Sequence, residues 1–148
     1  MNTPSWSPDS KQIAYVSMKT EEPSRIMLIG VEGGKPTPVY TETHGQIDAN
    51  WSADGQRMIY GYVHGTAEMS INVLDLKTKI VTKIPESERV FSPRWSPDGR
   101  YIAALSLDFT TVMLFDFQTQ KWSTWFKEAA GSVSYPAWSR DSSLKWPR

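Results

Sequence analysis

One hexamer, met four times at nearly constant spacing, constrains this chain more than any other feature. Trp95-Ser96-Pro97-Asp98-Gly99-Arg100 leads into the apolar run Tyr101-Ile102-Ala103-Ala104-Leu105. Trp6-Ser7-Pro8-Asp9-Ser10-Lys11 leads into Ile13-Ala14-Tyr15-Val16, and Trp51-Ser52-Ala53-Asp54-Gly55-Gln56 into Met58-Ile59-Tyr60. Trp138-Ser139-Arg140-Asp141-Ser142 opens a fourth copy. The tryptophans stand at positions 6, 51, 95 and 138, so successive copies lie 45, 44 and 43 residues apart. A fixed period of this length is that of a repeat architecture.

The hexamer reads as a tight reversal between two strands. Proline sets φ near −65°, Asp offers an oxygen for an Asx-type bond, and Gly supplies positive φ without steric cost. Where Ser10 and Ser142 replace Gly, the turn is expected to persist with mild strain or to change type. Asp9, Asp54, Asp98 and Asp141 are therefore turn residues. A Trp buries about 150–250 Å². Trp6, Trp51, Trp95 and Trp138 are expected at equivalent places on inner strands, filling the space between adjacent sheets rather than forming a ligand platform.

Between hexamers the pattern is one of short β segments. The first repeat carries expected strands at 3–6, 12–17, 25–29 and 37–40, with a Gly-rich turn at 31–35. Pro36 and Pro38 mark the last as an outer edge, where a missing N–H does least harm. The second carries strands at 46–51, 57–63, 70–75 and 80–84, and the third at 91–95, 101–107, 111–116 and 121–126. Residues 134–138 would be the inner strand of a fourth unit. No stretch shows a helical apolar stripe of useful length, so the expectation is all-β. Four strands per period make a propeller blade. The whole chain is then one propeller segment, with repeats at about 3–45, 46–89 and 90–132 and a partial one at 133–148.

The string W-S-P-D-G-R-x-I-A, an apolar strand ending in Asp and a Thr/Lys turn resemble the TolB-like propeller repeat, the Pro-Asp relative of the WD repeat. The resemblance covers residues 3 to 142. It implies a partial propeller of bacterial type and favours a periplasmic setting, although Met1-Asn2-Thr3-Pro4 runs into the first Trp without a secretory leader. It does not carry one activity over, because a fold hosts many functions. Such repeats build periplasmic scaffolds, gating domains of prolyl-oligopeptidase-type serine peptidases, oligogalacturonate lyases and sensor halves of bacterial regulators. The fourth copy departs from the pattern, with Leu144-Lys145-Trp146-Pro147 where an Ile-Ala strand belongs.

Composition narrows the partner and the chemistry. Sixteen Lys+Arg balance sixteen Asp+Glu, which argues against nucleic acid or an anionic membrane as partner. No apolar run approaches the ~18–20 residues of a membrane span. Cysteine is absent, so thiolate chemistry and disulfides are excluded. No G-x-S-x-G elbow accompanies the two histidines, and no His/Glu spacing suits zinc, so neither catalytic residues, a metal nor a cofactor is assigned. The expected function is a non-catalytic scaffold binding a protein or peptide through its loop face; the alternatives are part of an enzyme propeller or a sensor domain. In blade wiring, the loop between second and third strands and the connector to the next inner strand share one face. That brings together His44 and His64, with Glu21, Glu22, Glu86, Glu88, Arg89, Asp108, Phe109 and Lys127. Asp48, Asn50 and Arg94, on inner strands, are expected at or near the central opening; the plainer reading is that Arg94 and Asp48 simply pair across neighbouring inner strands. These five, His44, His64, Asp48, Asn50 and Arg94, are the candidate binding residues. Three blades make an open arc whose end faces are apolar, so self-association to close the ring is also expected.

Overall fold

The computed structural model describes residues 4–64, 68–134 and 136–139, and of His64 and Glu68 only the backbone. The chain runs as β1 (Ser5–Trp6), β2 (Gln12–Ser17), β3 (Arg25–Gly30), β4 (Gly33–Pro38), β5 (Gly45–Trp51), β6 (Arg57–His64), β7 (Glu68–Asp75), β8 (Val81–Lys83), β9 (Val90–Trp95), β10 (Tyr101–Ser106), β11 (Thr111–Asp116) and β12 (Lys121–Lys127). These form three antiparallel four-stranded sheets, each in chain order. The architecture is a partial TolB-like propeller of three blades. Among the described residues there is no helix long and apolar enough to cross a membrane.

The hexamer folds as a side-chain-templated turn, and its hub is the serine. Ser96 Oγ donates to Asp98 Oδ1 (2.6 Å) and accepts from Tyr101 N (2.8 Å), while Arg100 N donates to the same Asp98 oxygen (3.0 Å). Ser52 with Asp54, and Ser7 with Asp9, repeat the arrangement. All three serines are buried. Gly55 and Gly99 take φ of 70° and 73°, and Ser10 is held at 59°, so the turn persists without glycine. The hydrogen bonds favour the ionised carboxylate, which lowers the pKa of Asp9, Asp54 and Asp98, the serine hydroxyl being the largest cause in each.

A second turn closes blades 2 and 3. Asp75 Oδ1 accepts from Lys77 N and Thr78 N, and Asp116 Oδ1 accepts from Gln118 N. In blade 1 the corresponding turn is shorter than expected. Gly30 pairs with Gly33, whose φ is 88°, so only Val31 and Glu32 make the reversal and β4 starts four residues early. Pro36 and Pro38 lie in that outer edge strand.

Two apolar layers join the blades. Blades 1 and 2 share Ala14, Ile26, Val39, Trp51, Met58 and Leu74; blades 2 and 3 share Ile59, Ile71, Val73, Trp95, Ile102 and Phe115. Trp51 and Trp95 are 8% and 5% exposed, as expected of packing residues, but Trp6 is 60% exposed. No described residues lie against its sheet where blade 1 lies against Trp51. Trp51 Nε1 donates to Ser5 O, and Trp138 Nε1 donates to Arg94 O, the same position two blades on. Trp138 thus packs as a fourth repeat tryptophan, against Ala103, Leu105, Val112 and Leu114. It does so without the expected strand: among the described residues of 134–138 none is in a sheet, and the indole, not a backbone ladder, holds the segment. Asp141 and Ser142 lie outside the described residues.

Candidate binding surface

The loop face forms as the wiring requires. The connector entering β5 lies on the β2–β3 loop, with Gln46 N donating to Ser24 O and Arg25 Nη1 to His44 O (2.8 Å). In blade 3, Leu107 N donates to Arg89 O and Glu128 N to Thr110 O, which sets the β10–β11 loop beside its own connector.

Two centres stand on this face. At blades 1 and 2, Tyr62 Oη and Thr43 Oγ1 meet His44 Nδ1 at 2.6 and 2.9 Å. Beneath them Glu42 Oε1 accepts from Gln46 Nε2 (2.8 Å) and Tyr60 Oη (3.0 Å). Burial and then the Glu42 charge push the Tyr60 hydroxyl far above its ordinary pKa, and Tyr62 shifts the same way for the same reasons. Both phenols therefore remain hydrogen-bond donors at any physiological pH. His64 ends β6, and its side chain lies outside the described residues.

At blade 3 a cavity of about 260 Å³ is lined by Arg89, Val90, Ser106, Leu107, Asp108 and Met113. Leu107 of this lining is exposed, as is Phe109 on the same loop, whose ring packs edge-on against Phe91, and Met18 is exposed on the equivalent loop of blade 1. Asp108 is held down at about 2 by bonds from Ser106 Oγ, Thr110 N and Thr110 Oγ1. It is a fixed anion facing the Arg89 side of the cavity. The sequence places these residues on this face but gives no sign of the cavity, which depends on how far the β10–β11 loop stands from its connector.

The inner-strand residues divide by role. Asn50 Oδ1 accepts from Trp95 N (2.9 Å), so Asn50 ties the inner strand β5 to the inner strand β9. Asp48 sits in a β-bulge between Ile47 and Asn50 at φ 51°, and Ser92 repeats the bulge in β9 at φ 52°. Both are buried, and Asp48 Oδ1 and Ser92 Oγ have no hydrogen-bond partner among the described residues. Burial raises the Asp48 pKa, with the Arg94 charge opposing it. No ion pair joins Asp48 and Arg94 among the described residues. Arg94 Nη1 donates to Pro93 O. The structure therefore brings His44 to Tyr62 and Glu42, and sets Asp48, Asn50 and Arg94 apart on the inner strands.

Residues 9–144 match the family described as Eukaryotic translation initiation factor eIF2A. The chain belongs to that family. In three dimensions it is similar to TolB from Acinetobacter baumannii (TM-score 0.77, 24% identity), over 95% of this chain and 35% of that one. It is similar as well to an oligogalacturonate lyase in complex with manganese (TM-score 0.72, 16% identity, 95% and 43% of the two chains). A third similar structure is an acylaminoacyl peptidase from Pyrococcus horikoshii (TM-score 0.61, 18% identity, 86% and 25%). The chain spans a quarter to under half the length of these proteins, and at such identities the likeness is one of fold. The TolB-like frame is shared by a lyase, a peptidase and TolB itself.

Proposed function

We propose that this TolB-like arc is a non-catalytic scaffold that binds a protein or peptide segment on its loop face. The observation that carries the reading is the exposure of Leu107 in the lining of the Arg89–Asp108 cavity and of Phe109 on the same loop, on a sheet frame. Apolar side chains ringed by fixed charge are the composition of an interaction site, and loops on a rigid frame are where binding residues gather. His44, with its Tyr62 partner, extends the same face at blade 2, and His64, Asp48, Asn50 and Arg94 complete the candidate set. Peptides selected from a display library against the folded chain test this. Their affinity is expected to fall at least tenfold in Leu107→Ser and Phe109→Ser, and to be unchanged in Val31→Ser, which alters an exposed residue in the β3–β4 turn, outside both cavities. Equal affinity in all three would remove the loop face from consideration.

A second reading concerns blade 1. Its near sheet face carries Trp6, Ile13, Tyr15, Met27 and Ile29, the counterparts of Trp51, Met58, Tyr60, Asn72 and Leu74 that blade 1 itself covers. Trp6 is 60% exposed. The surface has the shape of a blade face awaiting another, and a second copy of the chain is the occupant proposed. Light scattering at micromolar concentration is expected to give more than the 16.8 kDa of one chain, reverting to one chain in Trp6→Asp. A parent that stays at one chain mass refutes this closure.

A further inference from the structure

Blades 1 and 2 close a groove that blades 2 and 3 leave open. Each interface has, at its outer rim, a carbonyl just past the outer strand of one blade and a long side chain from the neighbouring blade's second turn. Between blades 1 and 2, Lys79 Nζ donates to Val39 O (3.1 Å) and bridges the gap. Gln120 is the counterpart of Lys79 and Ile84 that of Val39. Gln120 Nε2 bonds back to Phe117 O in its own turn (2.8 Å), and Ile84 O is taken by Ser87 Oγ (2.7 Å). The uncrossed gap is a cavity of about 490 Å³.

Val73, Ile80, Ile84, Pro85 and Phe117 give it an apolar stretch, and among its polar lining residues the two cations Arg57 and Lys83 outnumber the one carboxylate, Asp75. The Arg57 guanidinium lies over the Trp95 ring, 4.8 Å from the centroid. Stacking occupies the flat face of a guanidinium and leaves its N–H edge for a planar acceptor. No hydrogen bond or ion pair involves that edge among the described residues. The carboxylates whose fields reach Arg57 are Asp54 and Asp75, and each is committed to hydrogen bonds within its own turn.

We propose that this inter-blade groove binds an extended peptide carrying a carboxylate side chain next to a large apolar one. The apolar side chain fills the space between Ile84 and Phe117, and the carboxylate receives the N–H edge of Arg57. The charge complement favours this occupant over a neutral one, because a desolvated guanidinium without an acceptor is costly and a carboxylate supplies two oxygens in the matching plane.

The groove runs along the outer strand of blade 2, from Asp75 and Thr78 in its turn to Ile84 and Pro85 where the connector begins; it shares no lining residue with the Arg89–Asp108 cavity and does not depend on the reading proposed for the loop face. The test titrates blocked pentapeptides that combine Glu or Gln with an adjacent Leu, Ile or Phe, followed by calorimetry and by Trp95 fluorescence. Glu peptides are expected to bind at least tenfold more tightly than their Gln partners, and Arg57→Gln to abolish the difference. Gln120→Lys, at an exposed turn position, is expected to cross the gap as Lys79 does and to remove binding without lowering the melting temperature. Leu107→Ser should change nothing here. The proposal is overturned if no peptide binds below about 1 mM, if Glu and Gln peptides bind alike, or if binding survives both Arg57→Gln and Gln120→Lys.

Discussion

The two inter-blade layers are built on one repeat and filled differently. The face that blade 2 turns to blade 1 carries cross-strand polar rows: Gln46 pairs with Tyr62 and Tyr62 with Ser70, and Tyr60 pairs with Asn72 beside the Asp48 bulge. The face that blade 3 turns to blade 2 has Val90, Ala104 and Met113 at corresponding places, and its layer is apolar. Among the described residues four buried side-chain oxygens lack a hydrogen-bond partner, and three of them, Asp48 Oδ1, Ser70 Oγ and Asn72 Oδ1, belong to blade 2. The turn frame is thus indifferent to what fills the space between blades. A few positions per repeat decide whether an interface is dry and apolar or polar and under-satisfied.

The sharpest way to break the comparison is at the tryptophans. Trp51→Ala and Trp95→Ala each empty a site at one interface, and each is expected to cost on the order of 3–5 kcal/mol. Trp95 should be the costlier, since its ring also carries Arg57 and stacks on Phe117 at 5.4 Å. Trp6→Ala, at the exposed counterpart, is expected to cost well under 1 kcal/mol at nanomolar concentration, rising with concentration if a second copy covers it. Denaturant melts of the three variants at two concentrations give the order. Equal losses at positions 6 and 51 would show that burial between blades is not what fixes the tryptophan.

The frame was legible in the sequence because it is local. Trp, Asp and Gly at fixed spacing specify a turn through their own bonds, and alternation on either side specifies strands. The role of Ser7, Ser52 and Ser96 as the hub was not read, although the spacing between Trp and Asp holds it constant; a hydroxyl two residues before an Asp is the signal that would have found it. What was missed elsewhere is contact across blades. The exposure of Trp6 depends on what lies against blade 1, and the bond from Trp95 N to Asn50 spans 45 positions and joins two blades. The candidate site was legible as a face, through wiring, but not as cavities. Those at Arg89 and Arg57 arise from loop stand-off and from Gln120 turning inward, neither of which has a sequence signature.

The smallest effect sharpens the comparison at one carboxylate. Asp48 is the ionisable member of the under-satisfied layer, and Ser92 holds the same bulge in the dry one. Burial raises the Asp48 pKa above its unfolded value near 3.9, so the folded chain binds its proton more readily than the unfolded chain. The ionised form therefore costs stability above the folded pKa, and the cost fades as pH falls through that pKa and is gone below the unfolded one. The turn carboxylates Asp54 and Asp98 act with opposite sign: their lowered values add stability above the unfolded pKa that is lost as pH falls through the folded ones. Asp48→Asn keeps the shape and removes the charge, and it is expected to stabilise the chain by about 1 kcal/mol at pH 7, with the gain vanishing by about pH 3. Asp98→Asn should lose stability at pH 7 and converge on the parent in acid. Thermal melts from pH 7 to pH 3 resolve the two. A stability loss in Asp48→Asn at pH 7 would mean that the charge is balanced in the fold, and that the polar layer between blades 1 and 2 is as well satisfied as the apolar one beside it.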